Sequence, residues 1–400
     1  MHRLIIGMGV LVLPFTGVLA QSSITIYGIA DAGIQISRFG NGTQSSLASG
    51  QADGSRLGIK AMEELGNGYK AMINLESRVE LDTGGISNGY IAHNIGVNLT
   101  RGLPVALSRT LGSQLTPRTV VNPDAALFDR TSAIGLIAPA GAILAGRQYT
   151  PAYEVVAMAD TFETGTAAGW GQILQGAGGF ITSGVAIRAS NALQYRVKSH
   201  GVGASLMAAF DRTGSLNHSR RFYGGNLRFK NSTWNAGISY QQEQDQHGRA
   251  SLTSIVAGGS YMIGKAKLLA GYARMRNDHS AIVPLLTSVI GATYANIVGN
   301  NAKLDAHSIT IGMQYRQGRG RIVTAMSHTD DHASHSKVWL YGLGYLHDLS
   351  KRTDIYTILA HARNRDNAQY AVGGAGYAGG FTSRSGQNAS ALQFGVRHRW

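Results

Sequence analysis

The chain of 400 residues contains no cysteine, has a formal net charge of +14, and only 14% of its residues are charged. The lack of cysteine excludes disulfide frameworks, thiolate metal sites and cysteine nucleophiles. Glycine (53 residues) far outnumbers proline (7) and the mean hydropathy is near zero, which favours strands with interleaved apolar and polar residues over apolar helices.

The beginning of the chain has the pattern of an export signal. Arg3 is followed by an apolar run, Leu4–Leu13, and small residues precede Gln21. We interpret residues 1–20 as a secretory signal peptide and residues 21–400 as a single β-barrel domain. Export disfavours nucleic acid as the partner of the positive charge, and favours lipopolysaccharide, outer-membrane lipid or small anions.

The rest of the chain repeats one unit, about ten residues of alternating character followed by Gly, Asn, Asp or Ser. Segments 23–37, 234–241, 308–316 and 338–345 each place apolar residues on one face and polar or small residues on the other. The last segment, 392–400, alternates in the same way and ends on an aromatic residue. Because successive strand side chains point to opposite faces, these segments predict strands between an apolar and a polar environment.

The connections between these segments alternate strictly between tight turns and longer stretches. The longer ones lie near 37–53, 81–126, 149–186, 213–219, 245–250, 277–303, 331–336 and 364–388. This pattern predicts an all-β fold, a transmembrane antiparallel up-and-down barrel of about 16 strands with one smooth rim and one loop-rich rim. Strands can cross lipid only as a closed barrel. A soluble barrel or sandwich is the alternative.

Two uncharged stretches could be mistaken for membrane helices. Thr131–Gly146 is interrupted by Pro139 and Gly141, which predicts a hairpin. Ser280–Ala302 carries Pro284 and several polar residues, and we interpret it as an external loop. A transmembrane helix there would break the alternation of strands.

Several segments resemble the general porins of β-proteobacteria, in the same order along the chain. They are SSITIYGIADAGI (22–34), GSRLGIKAMEELGNGYKAMINLES (54–77), AGRQYTP (145–151), RASNALQY (188–195), YLHDLSKRTDIY (345–356) and FGVRHRW (394–400). The resemblance implies a homotrimer in the outer membrane that passes small ions and hydrophilic solutes by diffusion. It implies no cofactor, and a third external loop, about 149–186, that folds inward and narrows the lumen.

The resemblance also implies roles at the end of the chain and at the narrow point. Phe394 and Trp400 lie in a terminal strand similar to the assembly signal of outer-membrane barrels. The connection at 81–126 is longer than is usual in the family, and the one at 277–303 is more apolar.

A pore selects by its width and by the charges at its narrowest point. Arg56 and Arg130 align with wall arginines of anion-selective members of the family. The predicted constriction residues are Arg56, Lys60, Arg78, Arg130 and Arg147 on the wall, and Glu154, Asp160 and Glu163 on the loop. Arg147 and Arg188 flank the loop and are candidates to hold it. The alternative role for all of them is to stabilise the wall through ion pairs.

The function predicted is passive diffusion with a preference for anions, without catalysis and without a metal. Tyr149, Tyr153, Phe162 and Trp170 lie near the predicted constriction, so a substrate-specific channel with an aromatic path is the alternative. A barrel enzyme is disfavoured, because the spacing of Ser, His and Asp residues supports no catalytic group. Histidines and aspartates at 328–335 form a weak metal motif without fixed ligand spacing.

Overall fold

The computed structural model describes residues 22–40, 42–86, 97–115, 125–174, 184–212, 219–245, 247–280, 282–373 and 381–400. The predicted signal peptide, 1–20, lies outside these residues. Within them the chain forms the strands β1 (Ser22–Arg38), β2 (Thr43–Ser49), β3 (Arg56–Gly66), β4 (Tyr69–Arg78), β5 (Thr131–Ala138), β6 (Gly141–Tyr149), β7 (Arg188–Ser199), β8 (Val202–Arg212), β9 (Ser219–Lys230), β10 (Trp234–Gln244), β11 (Ala250–Ile263), β12 (Ala266–Asn277), β13 (Leu304–Gln317), β14 (Gly320–Asp331), β15 (Ser336–Asp348), β16 (Thr353–Asp366) and β17 (Ala389–Arg399). The helices are α1 (Val97–Thr100), α2 (Val105–Leu115), α3 (Pro151–Ala159), α4 (Trp170–Leu174) and α5 (Ile282–Asn301).

All strands belong to one antiparallel sheet that closes on itself. β17 pairs with β1, from Ile29 opposite Arg399 to Arg38 opposite Ser390. Closure gives the backbone groups of both terminal strands a partner, which a barrel in lipid requires. The predicted fold class is therefore confirmed.

The seventeen segments form sixteen strand positions, because β2 and β3 share one. β2 pairs with Ala32–Arg38 of β1, and β3 pairs with Ser22–Ile29 of the same strand. Residues 50–55 interrupt this shared position. The sequence prediction that 37–53 is a loop was wrong for the residues of β2. These seven residues continue the pairing with β1 on the far side of residues 50–55.

The outward face of the barrel is apolar and the inward face is polar. Ile24 and Leu206 are 74% and 68% exposed, whereas Gln35 and Gln393 are fully buried. In β17, Phe394 and Val396 are exposed, as is Trp400 directly after it, and Arg397 is only 2% exposed. The predicted alternation is confirmed, and it leaves the lumen to polar side chains while the apolar face meets lipid.

The connections follow the predicted pattern of tight and long, with one correction. Thr131–Ala138 and Gly141–Tyr149 form the expected hairpin. The stretch 280–302, interpreted as a loop, is instead mostly the helix α5, broken at Gly291 with φ 77° and ψ 159°. Pro284 lies in the first turn of α5. A backbone N–H there would have no acceptor within the helix, so proline removes no helical hydrogen bond. Among the described residues, no helix has both the length and the apolar character to cross a membrane.

The connection between β6 and β7 folds into the barrel. Helix α3 packs against β9, β10 and β11. The indole of Trp170 is fully buried and donates to Ser308 Oγ on β13 at 2.8 Å, and Ala167 N donates to Gln393 Oε1 on β17 at 3.0 Å. The loop is thus attached to the inner wall on both sides of the lumen.

Candidate pore site

The inward loop is held in place by a well-capped helix. Thr150 is the N-cap of α3 and its Oγ1 accepts a hydrogen bond from Tyr153 N at 3.2 Å, while Pro151 occupies the first turn. Val155 and Val156 are buried against the wall. Capping and burial together give the loop a defined position, so its charged side chains have defined partners.

Two arginines from two parts of the wall meet at one tyrosine, and a third arginine is linked to them through a carboxylate. Tyr149 Oη accepts hydrogen bonds from Arg188 Nη2 at 2.7 Å and from Arg130 Nη2 at 3.3 Å. The guanidinium of Arg188 lies 4.4 Å above the Tyr149 ring, and Tyr153 stacks on that ring with centroids 5.2 Å apart. Arg56 is linked to this group through Glu76.

Two carboxylates partly neutralise these arginines. Glu76 Oε1 lies 2.6 Å from Arg130 Nε, and Glu76 Oε2 lies 3.9 Å from Arg56 Nη1. Asp53, in the interrupting segment 50–55, pairs with Arg56. We name Arg56, Arg130, Arg188, Glu76 and Asp53 the basic cluster; three arginines and two carboxylates leave it one net positive charge.

A second cluster joins the loop to β14 and β17. Glu163 Oε1 lies 2.8 Å from Arg321 Nη1, and Glu163 Oε2 lies 3.4 Å from Arg397 Nη1. Arg397 also pairs with Asp354 at 3.2 Å. Burial raises the pKa of Glu163, but Arg321 and Arg397 outweigh this and hold it below its ordinary value of 4.5. Glu163 is therefore ionised at neutral pH and attaches the loop to the wall.

The other two predicted loop acids differ from Glu163 in their surroundings. Glu154 binds Arg196 at 2.6 Å and Arg228 at 3.4 Å, so it faces the basic side chains of β7 and β9. Asp160 is only 2% exposed and accepts hydrogen bonds from Gly171 N at 2.7 Å and Phe162 N at 2.9 Å. Burial raises the pKa of Asp160 more than these backbone donors lower it, and the net result is a pKa of about 6.

The other three predicted wall residues lie outside the basic cluster. Lys60 is exposed on the inward face of β3. Arg78 is 4% exposed, with Nη1 3.0 Å from Glu80 Oε1 and Nε 3.5 Å from Asp129 Oδ2. Arg147 donates to Ser190 Oγ at 2.7 Å and to the Asp129 carbonyl.

Sequence reasoning missed members of both clusters. It treated Arg188 only as a holder of the loop, and it did not single out Asp53 of the first cluster or Arg321 and Asp354 of the second. The alternation of residues along β14 could have indicated that the side chain of Arg321 points into the lumen. By contrast, no local pattern reveals that the segment around Asp53 turns inward. Of the four aromatic residues predicted near the constriction, Phe162 and Trp170 are buried in packing, at 4% and 0% exposure.

Comparison with known proteins decides the family. The family described as Gram-negative porin matches residues 10–367. The chain belongs to this family. The porin is thus an integral β-barrel of the outer membrane, and its family is one of channels.

Its relatives agree along nearly the whole chain. The porin is 28% identical over 399 residues to Outer membrane porin protein 32 of Delftia acidovorans, covering 95% of both chains. It is 25% identical over 424 residues to an outer membrane porin protein of Bordetella pertussis, again covering 95% of both. Among solved structures, the anion-selective porin from Comamonas acidovorans matches with a TM-score of 0.70 and 24% identity, over 95% of this chain and 100% of that one.

Proposed function

We propose that this porin is a general-diffusion channel for small hydrophilic solutes and ions that prefers anions, and that the basic cluster sets this preference. The observation that supports it is the convergence of Arg56, Arg130 and Arg188 beside the inward loop. Arginine stays charged at every physiological pH and offers several donors to a passing anion. The solved structure named as an anion-selective porin has the same fold.

Not every predicted residue belongs in this proposal. Lys60, Arg147, Glu154 and Glu163 keep their proposed roles at the constriction because none of the four is buried. Arg78 and Asp160 are proposed as supports of the wall and of the loop, since two carboxylates, of Glu80 and Asp129, neutralise Arg78, and backbone donors enclose Asp160.

We further propose a homotrimer surrounded by outer-membrane lipid and lipopolysaccharide, made after removal of residues 1–20. One solved barrel of similar fold, an outer membrane protein of Vibrio cholerae at 13% identity, is described as a trimer form. Phe394 and Trp400 are proposed as the assembly signal, because both face outward on the strand that closes the barrel. The mass of the native complex and of the mature subunit tests the trimer and the cleavage site.

The test of the channel is the reversal potential of the purified protein in a planar bilayer under a salt gradient. We expect stepwise conductance with a reversal potential of the sign for anions. A reversal potential of the opposite sign would refute the anion preference. Conductance that saturates and is blocked by one solute would favour the substrate-specific channel, for which the stacked Tyr149 and Tyr153 are the available aromatic surface.

A further inference from the structure

The segment 50–55 leaves the wall at the point where β1 changes its partner. Strand β1 pairs with β3 before this point and with β2 after it. Between the two pairings, Gly50 N donates to the Asp31 carbonyl at 2.6 Å, and Ser55 Oγ accepts from Asp31 N at 3.0 Å. The backbone of one residue of β1 therefore holds both ends of the segment.

The side chain of Asp31 holds the middle of the same segment. Its Oδ2 accepts hydrogen bonds from Ala52 N at 2.9 Å and from Asp53 N at 2.7 Å, and its Oδ1 accepts one from Tyr356 Oη at 2.6 Å. Asp31 is fully buried. A carboxyl group is costly to bury unless donors satisfy it, so these three donors account for its place in the wall, and two of them fix the course of the segment.

The third donor reaches Asp31 from two strands away. Tyr356 lies on β16 opposite Gly395 of β17, and Gly395 in turn lies opposite Gly33 of β1. A Cβ at Gly395 would lie 2.1 Å from Tyr356 Oη. Glycine at this position therefore leaves the space through which the tyrosine crosses β17. The support of the segment thus includes the seam that closes the barrel.

The middle of the segment packs against the inward loop. A Cβ at Gly165 of the loop would overlap the carbonyl oxygen of Ala52. Ala52 is only 2% exposed and belongs to one apolar cluster with Phe162 and Ala168 of the loop. The segment and the inward loop therefore support each other, and the segment is a second element of defined position beside the constriction.

The other side of the segment contacts the arginines of the basic cluster. Arg56 Nε donates to the Gly54 carbonyl at 2.8 Å, and a Cβ at Gly54 would lie 2.7 Å from Arg130 Nη1. The carboxylate of Asp53 pairs with Arg56. The other five residues of the segment are buried, whereas the Asp53 side chain is 35% exposed. Solvent, and the ions in it, therefore reach the segment at its one charged group.

We propose that the segment 50–55 is a second selectivity element, in which Asp53 is a specificity-determining residue and Asp31 is its positioning residue. This inference rests on the proposed anion preference of the channel. A carboxylate paired with Arg56 reduces the attraction of that arginine for a passing anion and adds an attraction for cations. Asp53 thus moderates the anion preference, and Asp31 keeps it at the arginine.

The first test neutralises Asp53. Asp53→Asn keeps a side chain of the same size and removes one negative charge. From one unit charge about 5 Å from the ion, screened by salt, we expect the ratio of anion to cation permeability to rise about fivefold in a planar bilayer. Glu64→Gln is the matched control, because Glu64 is the acid of another ion pair, with Lys70 at the tight turn after β3. Its permeability ratio should equal that of wild type.

The second test changes the charge at this position within one folded channel. The chain has no cysteine, so Asp53→Cys gives a single thiol, and each channel is its own reference before and after modification. We expect a methanethiosulfonate that carries a sulfonate to lower the anion preference and one that carries a trimethylammonium group to raise it. Glu64→Cys should respond to neither reagent. A thiol that neither reagent reaches, or modification without opposite shifts, would refute the role of Asp53.

The third test examines Asp31 through its effect on Asp53. Asp31→Ala also removes a charge, so the informative quantity is the change caused by Asp53→Asn with and without Asp31. We expect about fivefold with Asp31 present and less than about twofold in Asp31→Ala, because the acid is then no longer held at Arg56. Equal changes in the two backgrounds would refute the positioning role. If heat-modifiable migration on a gel shows that Asp31→Ala does not fold, Tyr356→Phe takes its place, and there too the change should be smaller.

The outcomes separate this inference from the proposed function. A wild-type channel that prefers cations would refute the proposed function, and a shift toward anions in Asp53→Asn would still support the inference. A wild-type channel that prefers anions, with an unchanged permeability ratio in a folded and conducting Asp53→Asn, would refute the inference alone.

Discussion

The sharpest prediction concerns the charge of the basic cluster. In the double variant Arg56→Gln and Arg130→Gln, the cluster changes from one net positive charge to one net negative charge, because Glu76 and Asp53 remain opposite Arg188 alone. Glutamine keeps an amide donor for Glu76 and for the Tyr149 hydroxyl. The variant therefore changes charge with the least loss of hydrogen bonding.

The expected magnitude follows from Coulomb's law in the wet lumen. An ion passing about 5 Å from a unit charge in water gains or loses about 0.8 kcal/mol, and a Debye length of about 10 Å at 0.1 M salt reduces this to about 0.5 kcal/mol. Two units of charge therefore change the free energy of each ion by about 1 kcal/mol. That is about fivefold for each sign of ion, or about 25-fold in the ratio of anion to cation permeability.

The assay is the reversal potential under a tenfold salt gradient. The control variant removes the same number of positive charges from outside the lumen. Arg363→Gln with Arg365→Gln removes two arginines from the outward face of β16, where both are exposed. We expect the lumen variant to lose or reverse the anion preference and the control to retain it. A lumen variant that folds, conducts and keeps the wild-type reversal potential would refute the assignment of selectivity to the basic cluster.

Three further variants test how the loop and the barrel are held. Glu163→Gln removes the charge that binds two wall arginines, so we expect noisier open-channel current. Wild type should show the same noise in acid. The pKa of Glu163 is lowered, so its carboxylate stabilises the loop fully above pH 4.5, and this stabilisation is lost as the pH falls through the folded-state pKa. Gly165→Val should move the loop and alter conductance, because a Cβ there would overlap the carbonyl oxygen of Ala52. Trp400→Ala should lower the yield of folded barrel in the outer membrane, since Trp400 and Gly28 exchange backbone hydrogen bonds at the closing seam and the indole lies over that glycine.

Each of these variants has a matched control. Glu64→Gln breaks an exposed ion pair far from the loop, and should leave current noise unchanged. Gly203→Val meets only ordinary van der Waals contact on β8, and should leave conductance unchanged. Trp234→Ala removes another exposed tryptophan away from the seam and should assemble normally. A control that behaves like its partner would contradict the explanation given for that partner.

The sequence by itself determined the barrel and the orientation of its strands. Side chains alternate with a period of two, so the exposed Phe394 and the buried Arg397 were assigned to opposite faces from spacing alone. The strict alternation of short and long connections indicated closure and the number of strands. The three arginines of the basic cluster were also visible, two as candidates for the constriction and one as a neighbour of the loop.

Local pattern was insufficient where the backbone leaves regular pairing. Residues 50–55 leave the ladder between β2 and β3, and two of their backbone N–H groups, of Ala52 and Asp53, bind the carboxylate of Asp31 instead. The apolar stretch of α5 was misassigned because its proline and asparagines suit a loop as well as helix ends. Its helical state depends on packing between its two halves and with Leu99.

Only the tertiary structure decided which side chains share the lumen and which connections meet above it. Asp160 and Glu163 are three residues apart in one loop, yet the first is enclosed by backbone donors and the second pairs with arginines of β14 and β17. Asn301 contacts residues about 200 positions earlier in the chain. Strand periodicity is a local property of the chain, whereas these contacts exist only because closure of the barrel brings distant positions to one opening.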